Sequence, residues 1–153
     1  MSAFFDYFSA VYDGRIVACK KMRKQAERLL NAAAKPGKYH YDERIANKHV
    51  DFIEKFCRLP SGRIGSPFIL EPFQKARLQA TYGFVDDKNL RQYREVNTIE
   101  GRKNGKTSEA AAVELDALLN DEEGAPQVYN VATKQTQAML GFNACYRMVR
   151  QSP

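Results

Sequence analysis

The sequence predicts an α/β protein in which a helical N-terminal region precedes the opening of a parallel sheet, left incomplete. Three observations predict it. Apolar residues recur at helical spacing through the front of the chain. From Arg91 onward the pattern changes to strand, loop, helix, strand, helix. A basic, glycine-containing loop stands where the first of those strands meets its helix.

The front reads as helix from Met1 to about Ala34. Ile16, Cys19, Met22 or Arg23, Ala26 and Leu29-Leu30 recur at i, i+3, i+4 with charges between them, and Lys35-Pro36-Gly37-Lys38 breaks the pattern. A second helical stripe runs from Asp42 to Cys57 through Ile45, His49, Phe52-Ile53 and Phe56, with Asp42 placed to cap it. His49 lies on that stripe, where a core or boundary histidine is expected rather than a ligand. From Leu59 the chain carries turn residues at Pro60-Ser61-Gly62 and Gly65-Ser66-Pro67, then the short apolar stretch Phe68-Ile69-Leu70. Pro72 suits the first turn of a helix reaching Tyr82, and Gly83 is expected to end it.

The last third carries the α/β pattern. Tyr93, Val96, Thr98 and Ile99 favour a strand. Glu100 to Thr107 is a loop and Ser108 to Asn120 a helix rich in Ala, Leu and Glu. Asp121-Glu122-Glu123-Gly124-Ala125-Pro126 connects to a second strand, Val128 to Ala132, and Thr133 to Gln151 forms a last helix with Ala138, Phe142, Cys145 and Val149 on one side. The expected division is therefore 1–58, helical, and 59–153, α/β.

Composition narrows the class. The chain has 153 residues with 44% hydrophobic and 27% charged, enough for a real core. No apolar run approaches the roughly 18 to 20 residues needed to cross a bilayer. Met1 to Tyr12 is apolar but carries Asp6 and lacks a basic leader, so no signal peptide is expected and a cytoplasmic, non-membrane protein is. Cys19, Cys57 and Cys145 are scattered and form no CxxC pair, so buried free thiols are expected rather than zinc ligands. The net charge of +6 favours an anionic partner. The run Lys20-Lys21-Met22-Arg23-Lys24 is expected to be the solvated face of a helix.

The chemistry concentrates in the segment from Tyr93 to Thr107. A strand enters a basic turn, Arg102-Lys103-Asn104-Gly105, and a helix opens directly after Gly105-Lys106-Thr107. That is the logic of a P-loop. Backbone N–H groups of the turn and the first helical turn converge on one concavity. Gly105 lets the chain approach a phosphate, Lys106 reaches the β- and γ-phosphates of ATP, and Thr107 offers its hydroxyl to Mg²⁺. The general pattern asks for glycine five residues before Gly105, where this sequence has Glu100, with Gly101 one place late. A basic surface turn with a chance Gly-Lys-Thr is the competing reading.

The segment Arg102 to Thr107 resembles the Arg-Lys-Asn-Gly-Lys-Ser/Thr loop of tailed-phage terminase large subunits. Leu70-Glu71-Pro72-Phe73-Gln74 resembles that family's Leu-x-Pro-Trp/Phe-Gln segment. Gly83-Phe84 with Arg91, Tyr93, Arg94 and Glu95 resembles its approach to the first strand, and Ala132 to Ala138 its Ala-Thr-Lys-x-x-Gln-Ala motif. Val17-Ala18-Cys19-Lys20 reads like its opening helix.

The resemblance implies the N-terminal ATPase part of a DNA-packaging motor, with an incomplete P-loop NTPase sheet of the ASCE type. It implies that Lys103, Asn104, Gly105, Lys106 and Thr107 hold ATP, with Mg²⁺ on Thr107. Arg102 would act as the charge-stabilising catalytic arginine. Gln74 would read the adenine edge, or serve as a polar residue at a helix start. Lys134 and Gln137 would couple the site to DNA, or form an ordinary exposed helix face. Partners implied are double-stranded DNA, the terminase small subunit, the portal protein and further copies of the motor chain.

The acidic motif expected at the end of a later strand is imitated by Ala117 to Glu122. That stretch ends the helix after the loop and cannot be a central strand. The sequence is accordingly read as stopping before Walker B and the nuclease domain, with slow or no hydrolysis alone. Alternatives are a small P-loop NTPase or kinase, and a non-catalytic nucleic-acid or assembly module built on the front.

Overall fold

The computed structural model describes residues 2–121 and 124–153. They form two compact units: Met1–Val50 with Leu70–Asn97, and Asp51–Ile69 with Thr98–Pro153.

The first unit is built on helices and one small sheet. The predicted front helix is two helices, α1 (Ala3–Tyr12) and α2 (Lys20–Ala34). The chain between them turns at Gly14, whose φ of 80° is left-handed backbone that glycine adopts without a Cβ clash. Ile16 and Cys19, read as helical positions, fall in that connection and at its N-cap.

The next elements are β1 (His40–Tyr41), α3 (Glu43–Phe56), α4 (Pro72–Tyr82) and β2 (Phe84–Val85). Asp42 caps α3 as predicted, its Oδ1 accepting the Ile45 N–H at 2.9 Å. The core joins Phe4, Phe8 and Val11 of α1, Ala26 and Leu29 of α2, and Ala76 and Ala80 of α4 around Phe84. Phe4 stacks on Tyr41 with ring centroids 4.4 Å apart, and Phe84 meets Tyr93 edge-on at 5.7 Å.

A buried amide locks this core. Gln79 Oε1 accepts the Phe4 N–H at 2.6 Å, satisfying a donor that α1 leaves unpaired at its start, while Gln79 Nε2 donates to Asn47 Oδ1 at 2.6 Å. His49 lies buried with its ring stacked on Tyr82 at 3.7 Å, as its place on the stripe suggests.

Gly83 does end α4, for a reason other than the one expected. Its φ is −78°, an ordinary value. A Cβ there would lie 2.6 Å from both Gln79 O and Tyr41 Cε2 and 2.9 Å from Ala46 Cβ. Close packing, not a left-handed cap, demands the glycine.

The second unit holds the last part of α3, the loop at 57–69, α5 (Lys106–Asn120) and α6 (Gln135–Gln151). α5 and α6 pack on each other. Cys145 Sγ donates to Ala111 O at 3.4 Å and to Glu114 Oε2 at 3.1 Å, and Asn130 Nδ2 donates to the same carboxylate oxygen at 3.0 Å. The inner face of α6 is Ala144 and Met148; Phe142 and Val149, on the side that the sequence pattern groups with Cys145, are 56% and 58% exposed.

The sheet differs from expectation. Among the described residues it has two antiparallel strands, His40 opposite Val85 and Tyr41 opposite Phe84, and no strand forms at 93–99 or 128–132. A strand exists only where a neighbour pairs its backbone groups. The chain entering the first segment instead turns back onto β2: Arg91 bridges Val85 antiparallel, and the Gln92 N–H donates to Phe84 O at 2.8 Å. Ile99 and Val131 consequently stand 95% and 90% exposed. α5 continues to Asn120, so Ala117 to Asn120 is helix as argued; Glu122 and Glu123 lie outside the described residues.

The thiols are partly as expected. All three cysteines are free, but Cys19 is exposed, since it stands at the N-cap of α2 rather than on its inner face. Burial, with Asp116 nearby, pushes the Cys57 thiol up to about 11. Burial and the Glu114 carboxylate push Cys145 up to about 12. Among the described residues no helix is long and apolar enough to cross a membrane.

Candidate functional site: the loop before α5

The loop between Glu100 and Lys106 is shaped by two left-handed residues. Lys103 has φ 69° and Gly105 φ 78°. A left-handed residue between right-handed neighbours turns successive N–H groups to one side, the geometry of an anion-binding concavity. Gly105 is then the N-cap of α5, and its carbonyl accepts the Glu109 N–H at 3.0 Å. A cap without a side chain leaves the N–H groups of the first helical turn available to an outside acceptor. A Cβ at Gly105 would meet nothing within 4 Å, so its φ alone requires glycine.

Lys106 is half-buried and folds back over the loop. Its Nζ donates to Gly101 O at 2.5 Å and to Glu100 O at 3.2 Å. The ammonium is thus already held above the turn, on two neutral acceptors that a phosphate oxygen would outbid. Glu100, standing where the general pattern wants glycine, is not at positive φ, so its backbone makes no demand for one. Gly101 has room for a side chain, the nearest atom to a Cβ being Asn104 Nδ2 at 3.7 Å.

Arg102, Lys103, Asn104 and Thr107 are exposed around this turn. The donor set is cationic and amide-rich, which fits a polyphosphate. Thr107 offers one hydroxyl oxygen, and no group of three metal-binding side chains stands among the described residues. A Mg²⁺ ion here would be held by Thr107 together with phosphate oxygens and water.

The other predicted residues lie elsewhere. Lys134 is the N-cap of α6, its carbonyl accepting from Gln137 N at 3.0 Å, so the two share one exposed helix start. Gln74 belongs to the first unit. It is buried, and its Oε1 accepts the Glu71 N–H at 2.8 Å, closing the start of α4. Its oxygen therefore serves the helix end.

Two acids on α5 stand outside the sequence expectations above. Glu109 and Asp116 are buried and fall at i and i+7 on the face that also carries Ala112. That spacing beside a small buried residue was the available signal.

A glycine-kinked, lysine-bearing loop that opens a helix has the geometry of the anion-binding class of loops. Comparison with known proteins narrows the class. The family model described as "Terminase large subunit, ATPase domain" matches residues 72–153. The chain belongs to the terminase large subunit family. A "Terminase, large subunit" of Enterobacteria phage HK97 is 36% identical over 106 residues, covering 68% of this chain and 20% of that protein. The chain thus spans about a fifth of the length of that curated relative. No solved structure matches.

Proposed function

We propose that this chain is an ATP-binding part of a phage DNA-packaging motor and that the loop at 101–107 holds the nucleotide's phosphates with Mg²⁺. The observation that carries the reading is the left-handed Gly105 delivering Lys106 and Thr107 into the first turn of α5, inside the segment matched by the ATPase family model. In this reading the Lys106 ammonium leaves the carbonyls of Glu100 and Gly101 for phosphate oxygens. The N–H groups of Lys103, Asn104 and Gly105 and of the first helical turn complete the cradle. Thr107 gives its hydroxyl oxygen to Mg²⁺. Arg102, exposed beside the turn, neutralises charge that develops on the terminal phosphate when hydrolysis occurs.

The finer assignments belong to the same proposal. Gln74 recognises the adenine edge. Lys134 and Gln137 couple the site to double-stranded DNA. Residues 59–153 form the ATPase part and 1–58 an N-terminal region. The small subunit, the portal and further copies of the motor chain are its partners, in the cytoplasm of an infected or lysogenic cell. The segments 93–99 and 128–132 become parallel strands when neighbouring strands are supplied; their exposed Val96, Ile99, Val128 and Val131 suit that environment.

Titration with a fluorescent ATP analogue, with and without Mg²⁺, tests the reading. Saturable binding that Mg²⁺ strengthens is expected. A well-folded chain that ignores the analogue at millimolar concentration would sink it.

A further inference from the structure

The outer face of α2 carries a cluster of cations, one of which, Arg28, lies over the Tyr93 ring at 6.0 Å. Lys20, Lys24 and Arg28 stand at i, i+4, i+8 along one line of the helix, with Lys21 beside them, and all four are exposed. Successive members are about 6 Å apart along the axis. Like charges at i, i+4 oppose the helix rather than support it. The first turn also holds no acid, so the lysines face the positive end of the helix dipole. The one acid on this stretch is Glu27. Among the described residues Lys20, Lys21 and Lys24 form no ion pair. The opposite face of α2 already holds the helix in the core through Ala26 and Leu29.

We propose that this face is a docking surface for the phosphate backbone of double-stranded DNA. Lys20, Lys21 and Lys24 are flexible point charges suited to a line of phosphates, and they read no sequence. A protein partner is the weaker fit. Lysine is depleted at protein interfaces, and the exposed apolar neighbours, Val17 and Met22, include no aromatic anchor. The surface lies in the first unit and the nucleotide loop in the second, so this inference stands or falls separately from ATP binding.

The test is anisotropy of a labelled mixed-sequence duplex across a salt series, using the full chain. Replacing Lys20, Lys21 and Lys24 together by Gln should lower the slope of log K against log salt by about 2 to 3, and weaken low-salt binding on the order of a hundredfold. A control carrying Lys35→Gln, Lys88→Gln and Arg147→Gln changes net charge equally and should keep the wild-type slope. If the triple variant folds poorly, acetylation of the wild-type chain with and without duplex should show protection at Lys20, Lys21 and Lys24. An unchanged slope, an equal loss in the control, absent protection, or retention of poly-glutamate in place of DNA would each overturn the proposal.

Discussion

Gly105 and Lys106 set the shape of the loop before α5. One residue free to take φ 78° turns the chain, and the next places an ammonium over the carbonyls of Glu100 and Gly101. Gly105→Ala puts a Cβ on left-handed backbone, and we expect it to destabilise the loop by about 1 kcal/mol and to weaken ATP binding more than folding. Isothermal titration beside urea unfolding separates the two effects. The thiols make a second prediction. The folded pKa values of Cys57 and Cys145, about 11 and about 12, lie above the roughly 8.5 of an unfolded thiol. Between those values the unfolded chain has lost protons that the folded chain keeps. Stability should therefore be full below about pH 8 and fall as the solution becomes more alkaline, and Cys57→Ala with Cys145→Ala should flatten that fall. A urea midpoint that is level from pH 7 to pH 10 would contradict this. At pH 8, iodoacetamide should modify exposed Cys19 well before the other two.

Elements that depend on local chemistry were legible before the structure, and those that depend on distant partners were not. Asp42 caps α3, Pro72 opens α4 and α5 follows Gly105, because each signal lies within a few residues of the helix end it sets. The break at Gly14 was missed because Ile16 and Cys19 continue a helical period by chance while the turn is fixed by one glycine. The sheet was missed in both directions. His40–Tyr41 and Phe84–Val85 pair across distant parts of the chain with two residues each, too short for a period. The segments at 93–99 and 128–132 have strand composition without a pairing neighbour. Of the candidate site, the loop and its cationic residues were legible; the capping bond of Gln74 and the buried acids of α5 were not, since burial is decided by packing. Gly83→Ala tests an element-level claim. Its Cβ would press on Gln79 O, Tyr41 and Ala46 at the junction of α4 and β2, and we expect a loss of about 1 to 3 kcal/mol by urea unfolding. A change under a few tenths would show that the junction can relax.

For the molecule as a whole, family membership is carried by the segment that includes the loop before α5. The match to the terminase ATPase domain covers 72–153, yet this chain spans a fifth of the HK97 relative. Holding nucleotide asks for one loop and one helix start. Turning it over asks for an acid to orient water and for strands to position that acid. The measurement that bears most directly on the account is the ATP-analogue titration of wild type against Lys106→Ala, each with and without Mg²⁺. The account predicts saturable, Mg²⁺-strengthened binding by the wild type and a loss of at least tenfold in the variant, at unchanged circular dichroism. Equal affinity in the two proteins would mean that the phosphates are not held by the loop before α5.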